Sequence, residues 1–141
     1  MKTLVKWLLA IVVGGAVVAA FTTWPLLHDV ETGKTPEYPD LRVREFRATP
    51  DRVAKALEGA LASLGGWKLV GSGHGQSGYS LQALHTTPVV PLEQEVSIRV
   101  WRDAEKTRVT VRSKSKSELP DFGQNARNIR ELLAAIDREL S

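Results

Sequence analysis

The chain has 141 residues, a formal net charge of +3 and no cysteine. Without cysteine it can form no disulfide framework, thiolate nucleophile, lipid-modified cysteine or cysteine-based zinc site. Most of the excess positive charge comes from Lys2 and Lys6, because from His28 onward 17 basic residues are balanced by 16 acidic ones. The remaining charge balance is nearly neutral, so we expect no nucleic-acid partner.

A segment of 21 residues without a formal charge runs from Trp7 to Leu27. A helix rises about 1.5 Å per residue, so this length spans the roughly 30 Å hydrocarbon core of a bilayer. Trp7 and Trp24 lie near its ends, where indole rings favour the interface, and Lys2 and Lys6 supply a positive flank. The pattern predicts an integral, single-pass membrane protein with the N-terminus inside and the soluble domain outside.

A cleaved secretory signal peptide is the alternative reading of the N-terminal segment. Such a peptide ends at small residues in an A-x-A pattern, whereas this segment ends in Phe21-Thr22-Thr23-Trp24-Pro25. An uncleaved anchor over residues 1–27 is therefore favoured. Gly14 and Gly15 would let another membrane helix approach closely, although glycine is common in membrane helices without such a role.

The segment after the anchor, residues 28–40, is polar and contains Pro36 and Pro39. It has no apolar periodicity, which predicts a semi-extended tether to a soluble domain of residues 41–141. Leu41 to Ala48 is then expected to form the first strand of that domain.

A helix is predicted to begin next, because Thr49 can serve as N-cap, Pro50 suits the first helical position and Asp51 puts an acid in the first turn. The helix is expected to end at Gly65-Gly66. Apolar residues recur between them at helical spacing: Val53, Leu57, Leu61 and Leu64.

Two more strands are predicted, a short one from Trp67 to Val70 and another from Tyr79 to about His85. The glycine-rich residues 71–78 between them are expected to be a flexible loop. This loop lacks the GK[ST] ending of a phosphate-binding loop and leads into a strand, so we assign it no ligand.

Strict alternation of apolar and polar residues predicts a hairpin from about residue 96 to residue 112. In the register that pairs Val100 with Val109 and Ile98 with Val111, Trp101 falls opposite Arg108 on the outer face. There a cation and an aromatic ring can stack.

The last predicted element is an amphipathic helix that begins near Asp121 or Gly123. The element order β-α-β-β-β-β-α is typical of an α+β fold, here a two-layer sandwich with a largely antiparallel sheet and both helices on one face. The apolar positions that mark the last helix are Ala126, Ile129, Leu132, Leu133, Ile136 and Leu140.

The stretch from Val111 to Arg130 resembles the closing signature of the bacterial family of unknown function numbered 1499 (DUF1499). In that family the pattern is approximately V-R-S-x-S-R, a short spacer, D-L-G and then N-x-x-R-I-R. The likeness covers most of residues 38–140, with Gly66-Trp67 and Glu95 to Arg99 among the matching segments. The resemblance implies an envelope-associated bacterial domain, here a membrane-anchored member, and brings no established activity.

Three positions depart from the family pattern. Lys116 replaces the usual arginine, Phe122 replaces leucine, and Leu92 to Glu95 stands where many members have a pair of aspartates. A role of those aspartates in other members therefore does not carry over to this chain.

One stretch before and within the last helix is dense in side chains that could hold an anion such as a phosphate or carboxylate, because hydroxyls and cations lie beside a helix N-terminus. The alternative is structural: Asp121 caps the helix, Asn125 and Ser113 bond loop backbone, and Arg112 pairs with Asp121. The residues concerned are Arg112, Ser113, Ser115, Lys116, Asp121, Asn125 and Arg127.

A second candidate surface is the outer face of the hairpin, where Arg99, Trp101 and Arg108 could rest on anionic lipid headgroups. The alternative is a solvated sheet face whose charges discourage pairing with other strands.

No cofactor or metal is expected, because no two of His28, His74 and His85 have metal-pair spacing. The favoured function is a non-catalytic module that binds a protein partner, a small anion or an anionic lipid. Two alternatives stay open. One is an enzyme acting on an envelope metabolite through Asp121 or Glu95, and the other is a passive domain whose membrane helix makes the functional contact.

Overall fold

The computed structural model describes all 141 residues and contains three helices and six strands. The fold is α+β, as predicted. In chain order the elements are α1 (Lys2–Thr23), β1 (Asp29–Glu31), β2 (Arg44–Phe46), α2 (Pro50–Ser63), β3 (Trp67–Gly75), β4 (Gly78–Thr86), β5 (Glu93–Asp103), β6 (Lys106–Ser115) and α3 (Gln124–Leu140).

Helix α1 has 22 residues, and the mean hydropathy of its most apolar window is 2.3. None of its residues is buried against the rest of the protein. The helix is long and apolar enough to cross a membrane. A membrane anchor and a signal sequence both have this length and composition.

The sheet is antiparallel throughout, with the strand order β1-β6-β5-β4-β3. Strand β6 has two short partners on its free side. Strand β1 pairs with its last third, Val30 lying opposite Ser113, and β2 pairs with its first third, Glu45 lying opposite Arg108. Because two strands share this edge, almost the whole length of β6 is covered.

The predicted register of the β5–β6 hairpin is confirmed: Val100 pairs with Val109, Ile98 with Val111, and Trp101 with Arg108. The four apolar side chains of these pairs are fully buried. A shift by one residue would move all of them to the solvent face, so burial of one face fixes the register.

The glycine-rich segment is a strand, which corrects the predicted loop. Strand β3 continues to Gly75 and pairs with β4 as far as Gly78, leaving only Gln76 and Ser77 as the turn. Backbone hydrogen bonds to β4 hold this segment although its side chains have low strand propensity. Gly78 has φ of 109°, and a Cβ at this position would overlap the carbonyl oxygen of Val100.

Residues 28–40, expected to be a tether, are packed into the domain. They contribute β1, and Val30, Thr32 and Tyr38 are buried. The Thr32 hydroxyl accepts a hydrogen bond from the backbone N–H of Val111 at 3.1 Å. A strand of three residues has no readable periodicity, and its partner lies more than 80 residues along the chain. The predicted first strand is also shorter in the structure, spanning only β2.

Both α2 and α3 pack on one face of the sheet, as predicted, and they also pack against each other. The hydroxyl of Thr49 accepts the N–H of Arg52 at 3.4 Å, and Pro50 is the first residue of α2. The predicted stripe is the buried face of this helix, with Val53, Leu57 and Leu61 at most 1% exposed. The core between the helices and the sheet is continuous.

Several segments meet at one end of the sheet, which we call the junction end. Strand β4 ends there, β5 begins opposite it, and β6 ends beside β5. The chain leaving α1 joins the domain at this end, because the carbonyl of Leu27 accepts the N–H of Asp121 and the carbonyl of His28 accepts that of Ser115, both at 2.8 Å. The β3–β4 and β5–β6 turns lie at the opposite end.

Candidate functional site

A cavity of about 650 Å³ opens at the junction end. Its walls are two loops, residues 87–92 between β4 and β5 and residues 116–123 between β6 and α3. Of its 14 lining residues only three are hydrophobic, namely Leu92, Leu119 and Phe122. We call it the junction cavity. Most of the lining residues are polar or charged, although apolar atoms form the larger part of the lining surface.

Most of the residues predicted to bind an anion come together at this cavity. Ser115, Lys116, Asp121 and Arg127 line it. Ser113 and Asn125 are fully buried and are bonded to each other, with the Ser113 hydroxyl 2.7 Å from Asn125 Oδ1. Asn125 also donates through Nδ2 to the Ser115 hydroxyl at 2.9 Å, which ties this pair to the cavity wall.

Arg112 is the exception, because it lies on the other face of the sheet, where it pairs with Asp29 through two hydrogen bonds, one of them at 2.9 Å. The hydrogen bond from Arg112 lowers the pKa of Asp29, and the same bond raises the pKa of Arg112. The expected pair of Arg112 with Asp121 is therefore wrong.

Asp121 caps α3, as the structural alternative predicted. Its two carboxylate oxygens accept the backbone N–H of Gly123 at 2.9 Å and that of Asn125 at 2.8 Å. Gly123, the N-cap residue, has φ of 81°. Because Asp121 already occupies N–H groups at the start of the helix, an anion in the cavity has to be held mainly by side chains.

The second part of that alternative needs correction. Asn125 and Ser113 were expected to bond loop backbone, but their side chains bond each other. Asn125 and Asn128 lie one helical turn apart on α3 and are fully buried. Both side chains bond Ser113 of β6, so they face the sheet and not the loop. The loop is held through Asp121 instead.

Below the cavity lies a buried group of polar side chains centred on Gln94, which is 2% exposed. Its Nε2 donates to the carbonyl of Leu92 at 3.2 Å, so its Oε1 faces inward. That oxygen lies 2.7 Å from His85 Nδ1 and 3.1 Å from Asn128 Nδ2. Since an amide oxygen only accepts, His85 Nδ1 carries the proton in this arrangement.

Asn128 joins the two halves of this polar group. Its Nδ2 also donates to the Ser113 hydroxyl at 3.2 Å, and its Oδ1 accepts from Gln124 Nε2 at 2.7 Å. Gln94 and Gln124 both line the cavity. The floor of the cavity is thus a set of polar side chains that are bonded to one another and fixed in place.

Two cationic side chains, Lys116 and Arg127, line the cavity. Lys116 Nζ lies 2.7 Å from a carboxylate oxygen of Glu93, and this hydrogen bond raises the pKa of Lys116. Arg127 donates to the carbonyl of Phe122 at 3.0 Å and to Gln124 Oε1 at 3.1 Å, which are both neutral acceptors. Arg127 therefore offers the cavity a positive charge that these contacts do not neutralise.

The second predicted surface lies elsewhere. Arg108 is seven residues before Ser115 on β6, a distance of about 23 Å along the strand. Its guanidinium pairs with Asp103 at 3.0 Å and Glu45 at 3.2 Å, so the expected stack on Trp101 is absent. Arg99 takes that place, 5.9 Å from the ring centroid. Contact of this surface with lipid stays a prediction.

Sequence reasoning missed the residues of the cavity floor, although a signal exists for them. His85 continues the inward phase of Leu81 and Ala83 in β4, and Gln94 precedes Val96 in the inward phase of β5. Polar residues in an apolar phase must find partners when buried. Following that phase to both strand ends would have singled out these two positions.

A family model described as "Protein of unknown function (DUF1499)" matches residues 19–136. No curated protein matches the chain. Among solved structures, protein CV1439 from Chromobacterium violaceum is similar at 12% identity, with a TM-score of 0.42 over 80% of this chain and 96% of that one. TTHA0849 from Thermus thermophilus is similar at 14% identity, with a TM-score of 0.40 over 79% and 96% of the two chains.

Proposed function

The chain belongs to the DUF1499 family of proteins of unknown function, and we propose that it is a membrane-anchored domain that binds an anionic ligand in the junction cavity without transforming it. The observation that carries this proposal is the cavity itself, which is lined by Lys116 and Arg127 and by Gln94 and Gln124 of the buried polar group. A preformed concave site with a few placed polar groups is the usual form of a small-ligand site.

The anchor in this proposal is α1, uncleaved and crossing the bacterial cytoplasmic membrane once. Its length and hydropathy support a crossing, and Trp7 and Trp24 lie near its two ends. Under the positive-inside rule, Lys2 and Lys6 favour an N-terminus on the inside and therefore a domain on the outer, envelope side.

The present contacts of Lys116 and Arg127 are compatible with reversible binding of an anionic ligand. The side chains of Lys116 and Glu93 are both 44% exposed. An ion pair this exposed contributes little to stability. Replacing Glu93 by a ligand anion as the partner of Lys116 therefore costs little free energy. Arg127 is held by neutral acceptors and can make charge-assisted hydrogen bonds to a phosphate or carboxylate.

Catalysis is the weaker proposal, because neither carboxylate considered for acid or base chemistry faces the cavity freely. Both oxygens of Asp121 accept backbone N–H groups. Glu95 lies on the outer face of β5, between the inward-facing Gln94 and Val96. A general acid or base needs direct or water-mediated reach to a substrate proton.

The third candidate is a passive domain whose membrane helix makes the functional contact. In favour of this reading, Gly14 and Gly15 have no neighbouring atoms around their Cβ positions, so a second helix could pack there. Exchanging α1 for an unrelated membrane helix separates the proposals, because a cavity function survives that exchange and a helix function does not.

Native mass spectrometry of the full-length protein, extracted from its own membrane in detergent, tests the cavity proposal. We expect the wild type to carry a bound anionic species and the double variant Lys116→Gln/Arg127→Gln to lose it. Each charge-assisted hydrogen bond contributes about 1.5–3 kcal/mol, so each substitution weakens binding about tenfold or more.

The double variant Arg99→Gln/Arg108→Gln is the matched control, since it removes two positive charges at the opposite end of the sheet. It should retain the bound species. A wild-type protein that carries nothing, or a ligand retained by the cavity variant, overturns the proposal, and a bound protein in place of a small anion redirects it to a protein partner.

A further inference from the structure

Four large apolar side chains are exposed on the two loops that form the junction cavity. Val89, Val90 and Leu92 on the first loop are 91%, 60% and 52% exposed, and Leu119 on the second is 72% exposed. We call these four side chains the apolar lip. Exposed apolar side chains on the loops beside a cavity commonly mark an interaction surface.

The first loop is shaped by its own hydrogen bonds. The backbone N–H of Thr87 donates to the carbonyl of Leu92 at 3.0 Å, and the N–H of Leu92 donates back to the Thr87 hydroxyl at 3.0 Å. The same hydroxyl donates to the carbonyl of Val90. Because these contacts close the loop on itself, Val89 and Val90 are held at its outer tip.

The covalent connection to α1 places the second loop, and with it the junction end, close to the end of the membrane helix. The helix ends at Thr23, and the chain is bonded to the second loop from Leu27 onward. Four residues span at most about 14 Å. The aromatic rings of Phe21 in α1 and Phe122 in the second loop also meet edge to face, with centroids 5.4 Å apart. The second loop therefore lies close to the end of α1, which brings the junction end of the domain close to the surface of a bilayer that α1 crosses.

We propose that the apolar lip is inserted into the interfacial region of the same bilayer that α1 crosses, so that the junction cavity opens onto the lipid headgroups. The proposal rests on the anchored state proposed above. Val and Leu side chains leave water on insertion, and Lys116 and Arg127 then stand at the level of the lipid phosphates. The ligand class that follows is an anionic membrane phospholipid.

Because the chain has no cysteine, single cysteines can report the position of each loop. We would introduce Val90→Cys and Leu119→Cys in the full-length protein, label them with an environment-sensitive fluorophore and reconstitute the protein into nanodiscs containing anionic phospholipid. Glu105→Cys, in the exposed β5–β6 turn at the opposite end, is the matched control.

The expected result is blue-shifted emission at both lip positions and loss of most of that emission when the nanodiscs contain lipid with a quencher near the headgroup. The Glu105→Cys label should stay red-shifted and unquenched. Lip labels that respond no more than the control overturn the proposal and favour a protein partner for this surface. Quenching at Glu105→Cys alone overturns it in favour of the hairpin face.

Failure of this proposal can be distinguished from failure of the proposed function. If α1 does not anchor the protein, no labelled protein floats with the nanodiscs, and the lip cannot be in a bilayer. If the lip inserts but native mass spectrometry finds no bound anion, the membrane contact stands and the cavity proposal falls.

Discussion

Tyr38 is the residue at which the folded structure leaves a polar group without a partner. The residue is 8% exposed, and its buried hydroxyl has no hydrogen-bond partner. The ring of Tyr38, by contrast, makes favourable contacts. It packs in the hydrophobic core, and its centroid lies 5.4 Å from the guanidinium carbon of Arg130. Burial of the hydroxyl is also the main reason why the pKa of Tyr38 is raised.

We therefore expect Tyr38→Phe to stabilise the domain, because phenylalanine keeps the ring contacts and removes the unpaired hydroxyl. Leaving a buried polar group unsatisfied costs about 1–3 kcal/mol, so the free energy of unfolding should rise by about 1 kcal/mol. Urea denaturation of the detergent-solubilised protein, followed by circular dichroism, measures the change.

The matched control is Tyr79→Phe. The Tyr79 hydroxyl lies on the surface and bonds to Asp51, so its removal should bring no gain in stability. A loss of stability in Tyr38→Phe would mean that the Tyr38 hydroxyl makes a favourable contact, and the explanation given above would be wrong.

At the residue scale, the partners of charged side chains are the feature least predictable from sequence. The sequence favoured Arg112 with Asp121, nine residues away, yet Arg112 pairs with Asp29, which lies 83 residues earlier. That pairing depends on β1 lying beside β6, a register that three residues of sequence do not encode. By contrast, Asp121 as a cap could be predicted, because capping depends only on local spacing.

At the scale of elements, predictability followed the length of the alternating pattern. Strands β5 and β6 have 11 and 10 residues, and alternation over that length is enough to predict their pairing. Strand β1 has three residues, and the second half of β3 is mostly glycine and serine. Both are strands because a neighbouring strand supplies hydrogen bonds, which is a tertiary effect that a local pattern does not report.

The pair of Asp29 and Arg112 holds β1 on β6 and makes this attachment sensitive to pH. The hydrogen bond from Arg112 lowers the pKa of Asp29 below its ordinary value of 3.8. The ionised form of Asp29 is therefore bound more tightly in the folded state than in the unfolded chain. Its contribution to stability is fully present above the unfolded pKa and is lost as the pH falls through the lower, folded pKa.

Asp29→Asn should accordingly lower the free energy of unfolding at neutral pH, by at most about 1 kcal/mol because the pair is partly exposed. The difference between variant and wild type should shrink as the pH falls below 3.8. Urea denaturation at a series of pH values measures it. Glu118→Gln, in the exposed loop before α3, is the control and should follow the wild type. A difference that is independent of pH would exclude the ion pair as its cause.

At the scale of the whole molecule, the junction end combines the exit of α1, the cavity and the buried polar group. The sequence located part of this site, because Ser115, Lys116, Asp121 and Arg127 follow one another along the chain. It could not supply the other wall, residues 87–92, which reaches the cavity only because β4, β5 and β6 end together. Chain proximity is readable from sequence, whereas sheet order is not.

The orientation of the chain in the membrane is the prediction on which the whole arrangement depends. Lys2 and Lys6 lie in the first turns of α1, before its uncharged segment, and such basic residues stay on the cytoplasmic side. We therefore expect Ser141→Cys to react with a membrane-impermeant maleimide in intact spheroplasts, and Thr3→Cys to react only after lysis. The unaltered protein, which has no cysteine, is the blank.

The intact mass of the same membrane-extracted protein decides between an anchor and a signal peptide. An uncleaved anchor retains the N-terminal residues up to Trp24, and the protein then stays in the membrane pellet after alkaline extraction. A shorter chain that is released by that extraction would show cleavage instead. In that case the short link from Thr23 to Leu27 no longer holds the domain at a bilayer, and the insertion of the apolar lip loses its physical basis.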